Sequence, residues 1–205
     1  MKLALFICLI WMTSLSGLAH ASANSEANSG PAPKLTVENE ETGPISIDLA
    51  NKVYENCLFH IPSRFTPEAR EYYCACNAAA LRGNFKMDEY RDLQRQSNRK
   101  PGNKTFDKYI HTAVAPCLDM PVEQIEYLAC LLDMSNDVRV GYIPGFCGCV
   151  SKKMKNHAKA LGEAEIMERL ASDPNYKDPV DALWNNMTYL RTKYSSRNEC
   201  LLEGK

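Results

Sequence analysis

Cysteine is the residue whose number and spacing in this chain could do chemistry. Cys57, Cys74 and Cys76 recur 73 residues later as Cys130, Cys147 and Cys149, so a C-x16-C-x-C pattern stands twice in one sequence. Cys117 closes the first copy and Cys200 the second, which places every cysteine except Cys8. Three chemistries use such a set. A CxC outside a helix can form a strained, oxidising disulfide and exchange it with thiols. Four thiolates in the order C…CxC…C can hold tetrahedral zinc or copper(I). In an oxidising compartment the same sulfurs pair as staples.

The elements that carry the cysteines choose among these. Both CxC pairs fall in helical patterns, and residues i and i+2 of an α-helix point about 200° apart. Cys74 and Cys76 therefore reach two different neighbours rather than each other. Two arrangements survive in the first copy: Cys57–Cys74 with Cys76–Cys117, or Cys57–Cys76 with Cys74–Cys117. The same choice holds for Cys130, Cys147, Cys149 and Cys200. Redox catalysts place adjacent paired cysteines in an exposed, electropositive spot on a thioredoxin-like α/β scaffold, and nothing here reads as one. No Met-rich or His-rich cluster assists a metal. The expectation is disulfides at all eight positions, with no metal site and no cofactor.

Other chemistry is thin. His60, His111 and His157 have no counterparts between the copies and no ligand spacing, and read as helix-surface or helix-end residues. No GxSxG, P-loop, HExxH or EF-hand loop is present, so no catalytic residue is assigned. Glu163, Glu165 and Glu168 read as a solvated helix start. Arg91, Arg95 and Arg99 step by four and so share one helix face. They and the run Lys152, Lys153, Lys155 and Lys159 read as solvated faces, with an anionic contact surface as the alternative. Trp184, Tyr189 and Tyr194 read as packing residues. Asn103-Lys-Thr105 and Asn186-Met-Thr188 fit the N-glycosylation sequon and read as chance matches. The formal net charge of −1 gives no general case for nucleic acid or an anionic membrane.

The chain opens with Lys2, an apolar run from Leu3 to Met12, and small residues through Ala23. That is the order of a secretory signal, here residues 1–23, with cleavage after Ala23 or Ala21. The run is too short for a membrane span, and cleavage removes Cys8, leaving an even eight. Residues 24–46 are rich in Ser, Asn, Glu, Gly and Pro and read as a disordered leader. Two repeats follow, 47–120 and 121–205, each of about four helices. The first reads as helices over 47–60, 67–82, 86–96 and 105–118, with Gly83 as a C-terminal stop. The second reads as helices over 122–134, from Pro144 to a break at Gly162, over 163–171, and one long helix over 179–202. Cys76 to Cys117 spans 41 residues and Cys149 to Cys200 spans 51, so the second copy is about ten residues longer after its CxC helix.

Tyr73-Cys74-Ala-Cys76 and Phe146-Cys147-Gly-Cys149 resemble a loose class of small exported helical proteins of Gram-negative bacteria. The resemblance covers residues 47–203 as two tandem copies. It implies architecture and compartment, and no catalytic residue is carried over from it. The fold class expected is all-α, two tandem disulfide-stapled repeats. The function expected is binding rather than catalysis: a periplasmic or secreted adaptor whose partner is another envelope or secreted protein. The groove between the repeats, bordered by 172–179, is the expected contact surface. A thiol–disulfide oxidoreductase using either CxC, or a secreted virulence or competition factor, are the alternatives.

Overall fold

A computed structural model describes residues 42–134, 140–173, 176 and 178–203. The expected signal segment, the leader up to residue 41 and Cys8 lie outside the described residues. Among the described residues the chain is all-α, with eight helices and no strand.

The first four helices start where local chemistry places a cap. Ser46 accepts a hydrogen bond from the Leu49 amide and opens α1, Ile47–His60. Thr66 accepts from the Ala69 amide, with Pro67 at the first position of α2, Pro67–Asn84. Gly83 lies inside α2 and not beyond it. The helix instead ends where Phe85 turns to extended backbone and buries its ring. The backbone N–H of Lys86 donates to Glu89 Oε2 at the start of α3, Met87–Gln94. Asn103, two residues before the expected cap Thr105, accepts from the Thr105 and Phe106 amides to open α4, Lys104–Tyr109. Gly102 before it has φ +89°, which glycine adopts without Cβ strain, and its N–H donates to Asp107. The path continues through a π turn, Ile110–Val114, and a 3₁₀ turn, Ala115–Cys117. Pro116 lacks the N–H that a regular helix needs there.

The last part of the leader is held. Pro44 forms an antiparallel bridge with Lys86, the Met87 amide donates to Gly43, and Ile45 is buried. An apolar residue one place before the cap gives the tail an anchor that its composition hides.

Helix α5 runs Asp119–Met134 and α6 runs Ile143–Ser172, thirty residues without interruption. The expected break at Gly162 is absent. A mid-helix glycine costs only about 1 kcal/mol against alanine, and Gly162 is buried against Leu183 and Ala158. The expected single last helix is instead two, α7 Pro179–Trp184 and α8 Met187–Glu203. Asn186 makes the corner: its Oδ1 accepts from the Thr188 and Tyr189 amides, while its Nδ2 donates to the Glu165 carbonyl.

The disulfides are Cys57–Cys74, Cys76–Cys117, Cys130–Cys147 and Cys149–Cys200. Each CxC helix is thus tied to the helix before it and to the end of the segment after it. By loop-closure entropy, each 17-residue loop contributes about 3 kcal/mol and each longer one about 4. One apolar core runs from Ile45 to Cys200, so the two copies do not form separate lobes. Phe65 packs edge-on to Tyr73 and to Trp184, and Trp184 packs on Tyr189, which carries the core from α2 across to α7 and α8.

A Cβ added at Gly162 meets its nearest neighbours at 3.8 and 3.9 Å, ordinary contact. Gly162→Ala is expected to stabilise the protein by about 0.5–1 kcal/mol through helix propensity and a less flexible unfolded chain. A shift of the denaturant midpoint upward at unchanged slope checks this; a downward shift means α6 is closer to α7 than these distances allow.

Candidate functional site

The first feature with the geometry of a site is a cleft of about 780 Å³ among α1, α2, α3, α4 and the start of α7. Helical periodicity builds its walls. Leu49, Val53 and Cys57 step along one face of α1, and Tyr73, Asn77 and Leu81 along one face of α2. The Cys57–Cys74 bridge fixes the spacing of these two faces. Leu93 and Phe106 close the floor, and Val180 closes the side toward α7. Lys52, His60 and Arg99 are exposed at the mouth.

The polar groups inside the cleft are few. Asn77 is 4% exposed, its Oδ1 accepts from Tyr109 at 3.3 Å, and its Nδ2 has no hydrogen-bond partner. A buried amide donor left unmade costs on the order of 1–3 kcal/mol, and this one is out of the reach of water in the fold. Asp178 caps α7 by accepting from the Val180 amide at 2.8 Å, and burial raises its carboxyl pKa against that bond. Burial raises the Tyr109 phenol and drives Tyr73 well above its ordinary value. Both stay protonated at neutral pH, and Tyr109 donates its proton to the hydrogen bond with Asn77 Oδ1. Arg99 donates from Nε to the Leu93 carbonyl at 2.6 Å. Of the expected border 172–179, Asp178 and Pro179 line the cleft, and residues 174, 175 and 177 lie outside the described residues.

A second polar cluster lies under α8, in the core. Glu126 is 1% exposed and accepts from Tyr189 Oη at 2.9 Å and Trp184 Nε1 at 3.2 Å, with Lys193 Nζ at 2.8 Å. His157 Nε2 lies 2.8 Å from Glu165 Oε1, and both side chains are nearly enclosed. This corrects two expectations. His157 is no surface residue, and Glu165 is part of the core rather than of a solvated helix start, because α6 does not break before it. Burial raises the Glu165 pKa, opposed by the His157 hydrogen bond. The cluster forms a polar seam that joins α5 to α7 and α8.

The remaining sequence candidates resolve individually. His60 sits at the cleft mouth with Nδ1 2.8 Å from the Asn56 carbonyl oxygen. His111 pairs with Glu163 on the surface. Arg91, Arg95 and Arg99 do not share a helix face, because α3 ends at Gln94 and a 3₁₀ turn intervenes. Lys153 pairs with Glu199 and Glu203, and Lys155 with Glu123, so that basic run is partly neutralised. Tyr194 is 71% exposed and packs nothing, in contrast to Trp184 and Tyr189. Asn186 is buried, so its sequon is inaccessible in the fold. Among the described residues Cys149, Cys200 and Glu203 bring three ligand-type atoms together, but the two sulfurs are one disulfide. Cys74, Cys117, Cys130 and Cys147 have no exposure.

No protein-family model, curated protein or solved structure matches this chain.

The expected contact surface is the groove between the repeats, bordered by 172–179, and the sequence alone does not single out Asn77. The available signal was the stripe 73, 77, 81: a polar residue between two apolar ones on a helix whose later copy carries Val150 at the matching place.

A raised carboxyl pKa means the fold binds that proton more tightly than the unfolded chain does. The contribution of Glu165 to stability is thus full below its ordinary value of 4.5 and falls as pH rises through the elevated value. Glu165→Gln is expected to flatten this decline, with urea midpoints compared from about pH 4 to about pH 7. Equal slopes in the two proteins mean that His157 compensates the buried charge fully.

Proposed function

We propose that this is an exported, disulfide-stabilised helical binding protein without catalytic activity of its own, and that the cleft over Asn77 is its recognition site. The observation that carries the reading is the cleft itself: an apolar concavity with a few convergent polar groups and one buried donor left unsatisfied, the form that binding sites take. The four disulfides fit a chain that folds in an oxidising compartment, periplasmic or extracellular. The splayed CxC sulfurs, each bonded to a different helix, support stapling over exchange chemistry. No helix among the described residues is long and apolar enough to cross a membrane. The partner proposed is another envelope or secreted protein, a segment of which enters the cleft.

Two measurements check this. A photo-crosslinking residue at Lys52, on the cleft mouth, is expected to capture a protein partner in envelope or culture fractions, and Leu93→Glu is expected to abolish the adduct. The same group at Tyr194, on the exposed face of α8, serves as control. Adducts that form at Tyr194 alone, or that survive Leu93→Glu, place recognition elsewhere. Separately, intact mass after alkylation without reductant is expected to show none of the eight cysteines modified. Alkylation at Cys74, Cys76, Cys147 or Cys149 points instead to thiol exchange or metal binding.

A further inference from the structure

Helix α8 carries apolar side chains on two faces. Tyr189, Ser196 and Cys200 are buried, Lys193 between them reaches Glu126 of α5, and Ser196 contacts Met154 of α6. That face packs on α5 and α6. The helical period places Met187, Leu190, Tyr194, Leu201 and Leu202 on the opposite side. All of these but Leu201 are 43–71% exposed. A surface helix ordinarily turns one apolar stripe to the core and a polar face to water. Here the fold covers one stripe and leaves a second in solvent.

Met187, Leu190, Tyr194 and Leu201 follow the three- and four-residue steps of a helix–helix seam. Arg191, Ser195 and Asn198 run beside them on one flank, and Glu199 stands next on that flank. At the midpoint Leu190, Arg191, Tyr194, Ser195 and Asn198 line a shallow hollow.

The order of residues along the stripe identifies what covers it. Both ends are apolar, Met187 at the start and Leu202 at the finish. The charges are asymmetric. Lys193 and Arg197 are engaged by Glu126 and Asp133 of α5, whereas Arg191, before the midpoint, is exposed and has no ion-pair partner among the described residues. Glu199, after the midpoint, is exposed beside Lys153. Turned end for end about a twofold axis between Tyr194 and Ser195, the stripe meets its own complement. Met187 then faces Leu202 of the mate, Arg191 faces Asn198 with Glu199 one residue away, and each Tyr194 ring stands over the other copy's hollow. Parallel pairing instead sets Arg191 against Arg191 and aligns the two helix dipoles unfavourably.

We propose that the outer face of α8 is the seam of a homodimer, in which two copies pack α8 on α8, antiparallel, about that twofold axis. Such a contact is isologous, each residue giving and receiving the same partner. The stripe is about 22 Å long and about 10 Å wide, far below the roughly 800 Å² per partner of a standard stable interface. The pair is therefore weak and forms reversibly with concentration.

Sedimentation velocity of the full oxidised protein, from about 1 µM to about 500 µM, is expected to show a reversible rise from monomer toward dimer. Tyr194→Asp is expected to abolish the rise. Arg191→Glu and Glu199→Arg are each expected to raise the dissociation constant about tenfold, by setting like charges opposite. Lys153 keeps Glu203 as a partner when Glu199 is changed. The double variant is expected to recover wild-type association, and an equimolar mixture of the two single variants to form a heterodimer. A structural defect produces neither rescue. Unchanged melting temperatures show that the variants fold. A chain monomeric throughout the range overturns the inference, whatever else the stripe then binds. A dimer indifferent to Tyr194→Asp, or a double variant as weak as the singles, overturns it as well. The photo-crosslinker at Tyr194 is then expected to give an adduct of twice the chain mass, distinct from a partner adduct at Lys52, so the two surfaces are tested separately.

Discussion

The constraint on which the rest depends is that two side chains two apart on a helix point to opposite sides. α2 and α6 each carry a CxC, and each therefore ties one sulfur to the helix before it and the other to the segment after it. A single bridge would leave each helix free to roll about its axis. Two bridges on opposite sides remove that freedom and set the distance of α1 from α2 and of α5 from α6. That fixed distance sets the two longest walls of the cleft, because Tyr73 and Asn77 flank Cys74 and Val53 precedes Cys57 by one turn.

Disulfides alone do not join the halves, since none crosses from residues before 118 to residues after it. That joint includes ring packing and an ion pair, and the ring that receives them, Trp184, is held in turn by the buried Glu126 of its own half. Arg64 stands 5.5 Å over Trp184 and pairs with Asp181, Phe65 lies edge-on to Trp184, and Trp184 and Tyr189 both donate to Glu126. A buried carboxylate is costly unless satisfied from several sides, and here two neutral donors and Lys193 meet it. Its contribution is directional: it ties the end of α7 and the first turn of α8 to α5, while Asp178 caps the start of α7, where Val180 is a wall of the cleft. The long-range staples and the polar seam thus act on the same site from opposite ends.

What was legible in the sequence was whatever local chemistry decides. Thr66-Pro67 and Asp178-Pro179 announced helix starts because a cap and an N1 proline act within four residues, and the structure starts α2 and α7 there. The helical class and the splay of each CxC were readable for the same reason. What depends on tertiary neighbours was not. Gly162 carries a stop signal of about 1 kcal/mol, smaller than what packing against Leu183 returns. Asn186 makes a corner because Glu165 and Glu168 lie beside its amide, a fact of three-dimensional placement. His157 looked superficial only because α6 was expected to end before Glu165. Asn77 looked like one more polar helix residue, since nothing local says that its amide lacks a partner.

The duplicated cysteine spacing then has a consequence beyond scaffolding. Two helix pairs, α1 with α2 and α5 with α6, are held by staples of the same spacing, and they differ in what covers them. The second copy covers its own with α7 and α8, at the expense of a longer chain and a buried glutamate that needs three partners. The first copy leaves the corresponding trough to Leu93, Phe106 and Tyr109, which close it incompletely. An exposed apolar trough is unfavourable in water by roughly 25 cal/mol per Å² of apolar surface, and an unmade donor adds to that. The two cysteine frames share their staples and differ in what covers them: α7 and α8 lie over α5 and α6, while a cleft stays open beside α1 and α2.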